Sequence, residues 1–231
     1  MTVIYKRPVS QRSGRQKQKQ LTSRLFSYIV VFDGGFAPNP FWGYCTLACC
    51  KPKIRKNARC EDWVVGLTPK DQGNKLVYAM RITENPVTFD DYFKDERFQR
   101  KKPKARSANP KLNCGDNIYE PLGDYRYRQL SSIHSGEAGA KKRDLSGKYV
   151  LVSDDFYYFG GSAKPLPRYL RRLIVGRGHK CNFPQRVIET FERFIRKERK
   201  GINANPREIE GFQEDCEPSC CHTPGRPCGG K

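Results

Sequence analysis

Phe26-Ser-Tyr-Ile-Val-Val-Phe32, stopped by Asp33-Gly-Gly35, is the stretch on which the fold turns. An apolar, β-branched and aromatic run of this length, closed by a turn, reads as a buried strand. Folded structure is therefore expected to begin near Leu25. Ala37-Pro-Asn-Pro40 follows as an obligate loop, because two prolines fix φ and push the residues before them away from helix. Phe41 to Cys50 is mostly apolar and is broken by Pro52. The run Asp62-Trp-Val-Val-Gly66 is answered by Lys75 to Ile82, which gives a second and a third strand. Tyr149-Val-Leu-Val-Ser153 is a further strand and runs into Asp154-Asp155-Phe-Tyr-Tyr-Phe-Gly-Gly161.

Helices are fewer. Thr88-Phe-Asp-Asp-Tyr-Phe93 reads as a short helix with Thr88 as N-cap and Asp91 in the capping-box position. Leu166 to Ile174 reads as a short basic helix. The best amphipathic pattern lies between Pro184 and Lys200, where Val187, Ile188, Phe191, Phe194 and Ile195 share one face and arginines and lysines fill the other. The stretch 112–147, rich in Gly, Ser and Tyr, has no clear period, and a long loop inside a domain usually has a function or is disordered.

Charge narrows the function. The 231 residues carry 44 Lys and Arg against 24 Asp and Glu, a net charge of +20. A field of that size draws in polyanions, so nucleic acid is the expected partner. No apolar run approaches the ~20 residues that span a bilayer, and no membrane partner is expected. Residues 1–24 hold seven basic residues, no acidic one and no apolar signal segment, and read as a disordered basic arm. The ten cysteines include the adjacent pairs Cys49-Cys50 and Cys220-Cys221, which fits reduced thiols in the cytoplasm better than a disulfide framework.

No Walker loop, Rossmann glycine fingerprint, nucleophile elbow or zincin helix is present. Cys216, Cys220, Cys221, His222 and Cys228 have soft ligand atoms but no C-x2-C pairing and no apolar residue to pack around an ion. The sequence thus assigns no metal and no cofactor. Asp33 and Asn39, on a glycine- and proline-bounded loop, are candidate base-edge contacts, set against a turn in which they bond their own backbone. On the first reading Asn39→Ala and Asp33→Asn leave the melting point nearly unchanged and weaken ligand binding. Phe36, Phe41, Trp42 and Tyr157 are candidate stacking rings, although alternate rings of a strand belong to the core. Arg55, Arg177, His179 and Lys180 are candidate phosphate contacts. Asp33, Asp154, Asp155 and His179 are candidate acid–base groups.

Three blocks, Phe32 to Phe41, Tyr44-Cys-Thr-Leu-Ala-Cys-Cys-Lys-Pro-Lys-Ile-Arg55 and Asp62 to Gly66, together with Tyr149 to Gly160, resemble the nucleotide modification associated domain 2 family. The resemblance covers roughly 25–200. It implies a subject area, modified bases in phage and bacterial systems, with other base-modification proteins as a second class of partner, and no reaction. The turn and strand around Asp62-Trp63, with a second strand and a Glu84-containing turn, is similar in layout to PUA-like barrels of the EVE and ASCH kind. Those barrels bind nucleic acids, though function does not follow from fold.

The expected fold is α+β: a curved, mostly antiparallel, barrel-like (PUA-like) sheet with packed helices over 25–202, followed by a Cys/Pro/Gly-rich tail at 203–231. The first functional reading is recognition of a modified base in DNA or RNA. The second is an enzyme of base or nucleotide modification working through Asp and His. The third is a basic assembly partner of an acidic protein.

Overall fold

The computed structural model describes residues 22–209. Most of the basic arm and the cysteine-rich segment from 210 onward lie outside the described residues. Along the chain come β1 (Leu25–Ile29), β2 (Cys45–Leu47), α1 (Pro52–Asn57), β3 (Trp63–Leu67), β4 (Leu76–Arg81), β5 (Val87–Thr88) and α2 (Phe89–Lys94). They are followed by α3 (Pro110–Asn113), β6 (Tyr119–Pro121), β7 (Tyr127–Gln129), α4 (Ala140–Leu145), β8 (Tyr149–Ser153) and β9 (Asp155–Tyr158). The last elements are β10 (His179–Lys180), α5 (Gln185–Ile195) and β11 (Gly201–Ile202). A 3₁₀ turn forms at Glu96–Lys101 and another at Arg168–Leu173, where a basic helix is expected. Thr88 caps α2 as its sequence predicts, accepting from the Asp91 amide at 3.1 Å.

The central sheet has six strands in the order β10-β1-β3-β4-β9-β11. The β1–β3 and β9–β11 pairs are parallel and the other three antiparallel. The sheet is therefore mixed, and among the described residues it is open, with β10 and β11 at its edges, so no closed barrel forms there. The reason lies at β8 and β9. They are consecutive in sequence, but β8 pairs with β2 and β5 in a separate three-stranded sheet, while β9 joins the central one. Asp154 stands at the corner between the two sheets.

Strict alternation along the strands sorts side chains to the two faces. On β3, Trp63, Val65 and Leu67 face one cluster with α5, and Val64 faces the other. On β9, Tyr157 goes with the first cluster, and Phe156 and Tyr158 with the second. Helix α5 buries Val187, Ile188, Phe191 and Ile195 against the first face, and Glu192 accepts from the Trp63 indole at 2.8 Å. The second face is covered by β2, β8 and α1. A third cluster, around Phe36, Phe41, Phe89, Tyr92 and Phe98, lies beyond that layer.

β1 is shorter than its apolar run. Pairing with β3 ends at Leu67, after which Val31 and Phe32 leave the sheet, 71% and 56% exposed. At the other end of the described chain, 203–209 run back over the sheet. Asn203 donates to the Tyr158 carbonyl and Glu208 to the Asp33 carbonyl. Among the described residues no helix is long and apolar enough to cross a membrane.

Candidate active site

Strand β2 is wholly buried and held by β8, so the chain leaves it in a fixed direction. It must then turn sharply into α1, whose first residue is Pro52, a residue suited to that position because its missing N–H has no partner there anyway. The turn is made by Cys50 at φ 58° and Lys51 at φ 40°, two consecutive non-glycine residues in the left-handed region. Each such residue costs on the order of 1–3 kcal/mol, and strain of this kind clusters at functional sites. A side chain held on a tight strand-to-helix turn is the geometry of a nucleophile elbow, here carried by a thiol. The sequence pattern alone did not reveal it.

Against this turn the otherwise unassigned 112–147 segment brings two groups. His134 Nε2 lies 3.5 Å from Cys50 Sγ, and His134 Nδ1 lies 3.0 Å from Asp144 Oδ2. Asp144, on α4 and fully buried, accepts from the Cys50 amide at 2.7 Å with Oδ1 and from the Tyr119 hydroxyl at 2.9 Å with Oδ2. One carboxylate thus fixes the thiol's backbone and the imidazole together. Phe36 packs edge-on against the His134 ring at 4.6 Å and fixes its plane. Arg55 completes the frame: its guanidinium donates to the carbonyls of Cys50 at 2.8 Å, Tyr149 at 2.6 Å and Asp144. Gly147 makes room for it, since a Cβ there would stand 2.5 Å from the Arg55 guanidinium carbon.

The electrostatics follow from these contacts. Burial works against a charge on His134, but the bonds to Asp144 and Cys50 outweigh it and raise the imidazole to about 9. Burial also pushes the Asp144 carboxyl up, while His134, the Cys50 amide and Tyr119 together hold it below the usual carboxylate range. The site favours an imidazolium between a carboxylate and a sulfur, the arrangement that activates a nucleophilic cysteine.

Cys50 and His134 open onto a cleft of about 680 Å³. Its floor and lip are apolar (Ile29, Val30, Val31, Phe32 and Ile133), and Lys51, Arg143 and Glu137 give it charged edges. Val31, Phe32 and Ile133 are among the exposed large apolar side chains, and here they gather around a single opening. Cys49, His134 and Asp144 also offer three ligand atoms within 4.8 Å of one another. They suit a metal poorly. His134 Nδ1 and the Asp144 carboxylate already face each other, and burial drives the Cys49 thiol well above its ordinary pKa, toward the protonated form that does not ligate.

The residues singled out in the sequence fall elsewhere. Asn39 is fully buried. Its amide nitrogen donates to the Cys114 carbonyl at 2.9 Å, and its oxygen accepts from Lys101 Nζ at 2.7 Å and from the Phe41 amide at 3.3 Å. It therefore holds the loop rather than facing a ligand, which corrects the base-edge reading. Lys101 is itself fully buried, and burial lowers its amine to about 8, with the charge of Asp116 opposing. Asp33 is buried beneath Tyr158, whose hydroxyl donates to it at 2.5 Å, and beneath Arg207 and Glu208. Burial raises its carboxyl above the usual range against the pull of the Tyr158 bond.

Arg55 is sealed inside the fold and unable to reach a phosphate, a second correction. His179 and Lys180 form β10, paired with Tyr28 and Ser27 of β1. Burial and then Lys53 and Lys51 push the His179 imidazole below its ordinary value. Arg177 is exposed beside β10. Tyr157 packs 6.4 Å from Trp63 in the core. Asp155 pairs with Lys200 at 2.6 Å, and Asp154 is exposed. Of the sequence candidates, Phe36 packs on the His134 ring and Arg55 braces the Cys50 carbonyl. Phe41, Trp42 and Asp154 line a second cleft, on the far part of the same loop.

No curated protein and no solved structure matches the chain. The profile of nucleotide modification associated domain 2 matches residues 22–213, a span that contains Cys50, His134, Asp144, Tyr119 and Arg55. The chain belongs to the nucleotide modification associated domain 2 family, which links it to nucleotide modification.

Proposed function

We propose that this domain is a cysteine-nucleophile enzyme of nucleotide modification that transfers or hydrolyses an acyl group carried by a base or nucleotide. The observation that carries this reading is the line Cys50 Sγ–His134–Asp144, with 3.5 Å and 3.0 Å links, in the wall of an apolar cleft. In the first half-reaction Cys50 reacts as the thiolate of a thiolate–imidazolium pair with His134, and the sulfur adds to the acyl carbon. The tetrahedral oxyanion collapses, the carbon–heteroatom bond breaks, and Nε2 returns the proton to the leaving nitrogen or oxygen. A thioester on Cys50 remains. In the second half-reaction a water or an acceptor amine gives a proton to Nε2 and attacks the thioester, and Sγ leaves as the thiolate, which restores the pair with the imidazolium. Asp144 keeps the imidazole oriented throughout, as the third member of a triad does. The Cys50 amide is already given to Asp144, so it does not serve the oxyanion; Lys51 and Arg143, on the cleft, are the nearby positive charges.

Nucleic acid is the natural carrier of such a group for a chain of net charge +20. A thiol nucleophile also suits a reducing compartment such as the cytoplasm. The test uses the full chain with iodoacetamide at neutral pH, each cysteine read by mass spectrometry, and a panel of N-acylated nucleosides and oligonucleotides. Cys50 is expected to react about tenfold faster than exposed Cys181. Cys50→Ala is expected to abolish deacylation of the responsive substrate without changing the melting point. Equal reactivity of Cys50 and Cys181, with His134→Gln leaving the Cys50 rate unchanged, overturns the reading.

A further inference from the structure

A second cleft, about 1050 Å³ and not lined by Cys50, has a different chemistry. Its lining includes Trp42, Arg100, Lys111, Asp154, Arg199 and Lys200, four cations against one carboxylate. Small-molecule sites commonly occupy roughly 300–1,000 Å³, so a whole nucleotide fits. We propose that this cleft binds a nucleotide, with the base stacked on the Arg100–Trp42 pair and the phosphate held by Arg199 and Lys200.

Four observations point the same way. First, the Arg100 guanidinium carbon lies over the Trp42 indole, 3.6 Å from the ring centre, and the arginine is exposed. Its outer face is a ready platform, because bases stack on guanidinium planes as well as on rings. Second, Trp42 sits at φ 65°, next to Gly43 at φ 81°, a strained conformation for a bulky residue. Its Nε1 is buried with no partner, a further unfavourable term. A tryptophan kept at this place despite both is easier to understand as a stacking surface than as core.

Third, the phosphate ligands are steadied. Lys200 pairs with Asp155 at 2.6 Å, and one Arg199 N–H donates to the Ile202 carbonyl at 2.7 Å, which leaves the other donors of the fork. Fourth, the cleft shares a wall with the active site. Gly34, Phe36 and Ala37 line the Cys50 cleft, and Pro40 to Gly43 line this one. Buried Lys101, bonded to Asn39 and to the Tyr44 carbonyl, pins the loop between the two.

The test is tryptophan fluorescence of the full chain. It has two tryptophans, and Trp63 is fully buried with its indole bonded to Glu192, so Trp42 is the reporter. The probes are a single-stranded oligonucleotide of about twelve residues, a mononucleotide and inorganic pyrophosphate, at fixed ionic strength. Saturable quenching is expected, with affinity falling about tenfold or more in Arg100→Ala and in the Arg199→Ala/Lys200→Ala double variant. The exposed pair Arg171→Ala/Arg172→Ala, outside the cleft, is expected to change it less than about twofold. Saturation by the mononucleotide identifies a free nucleotide as the ligand; saturation by the strand alone identifies a nucleotide within a polymer. Cys50→Ala is expected to bind like wild type, so failure of the acyl-transfer reading leaves this one standing. No quenching by any probe, equal losses in the cleft and control pairs, or pyrophosphate binding as tightly as nucleotide would overturn the proposal.

Discussion

Asp144→Asn is the most exacting perturbation of the active site, because it keeps the shape while removing the charge and one of the two acceptor oxygens. In the wild type, burial alone would lower the His134 imidazole, yet it stands at about 9 instead of 6.5. At 1.36 kcal/mol per pH unit, that rise corresponds to about 3 kcal/mol in favour of the imidazolium. The His134 side chain is only 10% exposed, so solvent screens little of it. Two partners supply the rise, Asp144 at Nδ1 and Cys50 at Nε2. With asparagine in place of Asp144, the carboxylate contribution is lost while the burial penalty stays. The His134 midpoint is then expected to fall by about two pH units, to near or below the ordinary value. The assay is an NMR titration of the imidazole Cε1 protons, of which the chain has three.

Stability gives an independent readout with a definite sign. The folded imidazole value lies above the unfolded one, so its stabilisation is complete below about 6.5 and is lost as pH rises through about 9. The folded Asp144 value lies below the unfolded one, so its share is present above the usual carboxylate range and lost on acidification. The stability gap between wild type and Asp144→Asn should therefore be widest between about pH 5 and 6.5, and close toward 9. Alkylation of Cys50 at pH 7 should slow about tenfold or more in the variant, as an imidazolium is replaced by a neutral ring. A midpoint that stays near 9 in the variant would refute the argument, as would a gap that widens between pH 7 and 9.

Two further substitutions test the frame around the site. Arg55→Met leaves the carbonyls of Cys50, Tyr149 and Asp144 without their buried donor and should lower unfolding free energy by about 3 kcal/mol or more. Urea denaturation reads this, and a loss under about 1 kcal/mol would show that Arg55 is not the brace. Asn39→Ala strips an acceptor from fully buried Lys101 and should cost about 2–4 kcal/mol, a melting drop on the order of 5–10 °C. A melting point within about 2 °C of wild type would return Asn39 to the role of ligand contact.

What the sequence showed and what it hid separate along a physical line. The strands at Leu25, Trp63, Leu76 and Tyr149, the Thr88 cap and the α5 face were all readable, because each rests on local period or local hydrogen bonding. Sheet closure was not readable. It depends on which strand β8 chooses, and β8 and β9 look alike in sequence while serving different sheets. The site failed to show for the same reason. Cys50 stood in plain view within a block that marks the family, yet a thiol becomes a nucleophile only when an imidazole reaches it. That imidazole comes from His134, 84 residues later, in the one stretch with no period to read. Asn39 misled in the opposite direction. Prolines around a polar residue suggest a rigid presentation to solvent, but a lysine 62 residues away fills its side-chain oxygen from inside. Both errors share one cause: whether a polar side chain in a rigid loop faces a ligand or the core depends on distant partners. Here the partners are a histidine that makes Cys50 chemical and a lysine that makes Asn39 structural.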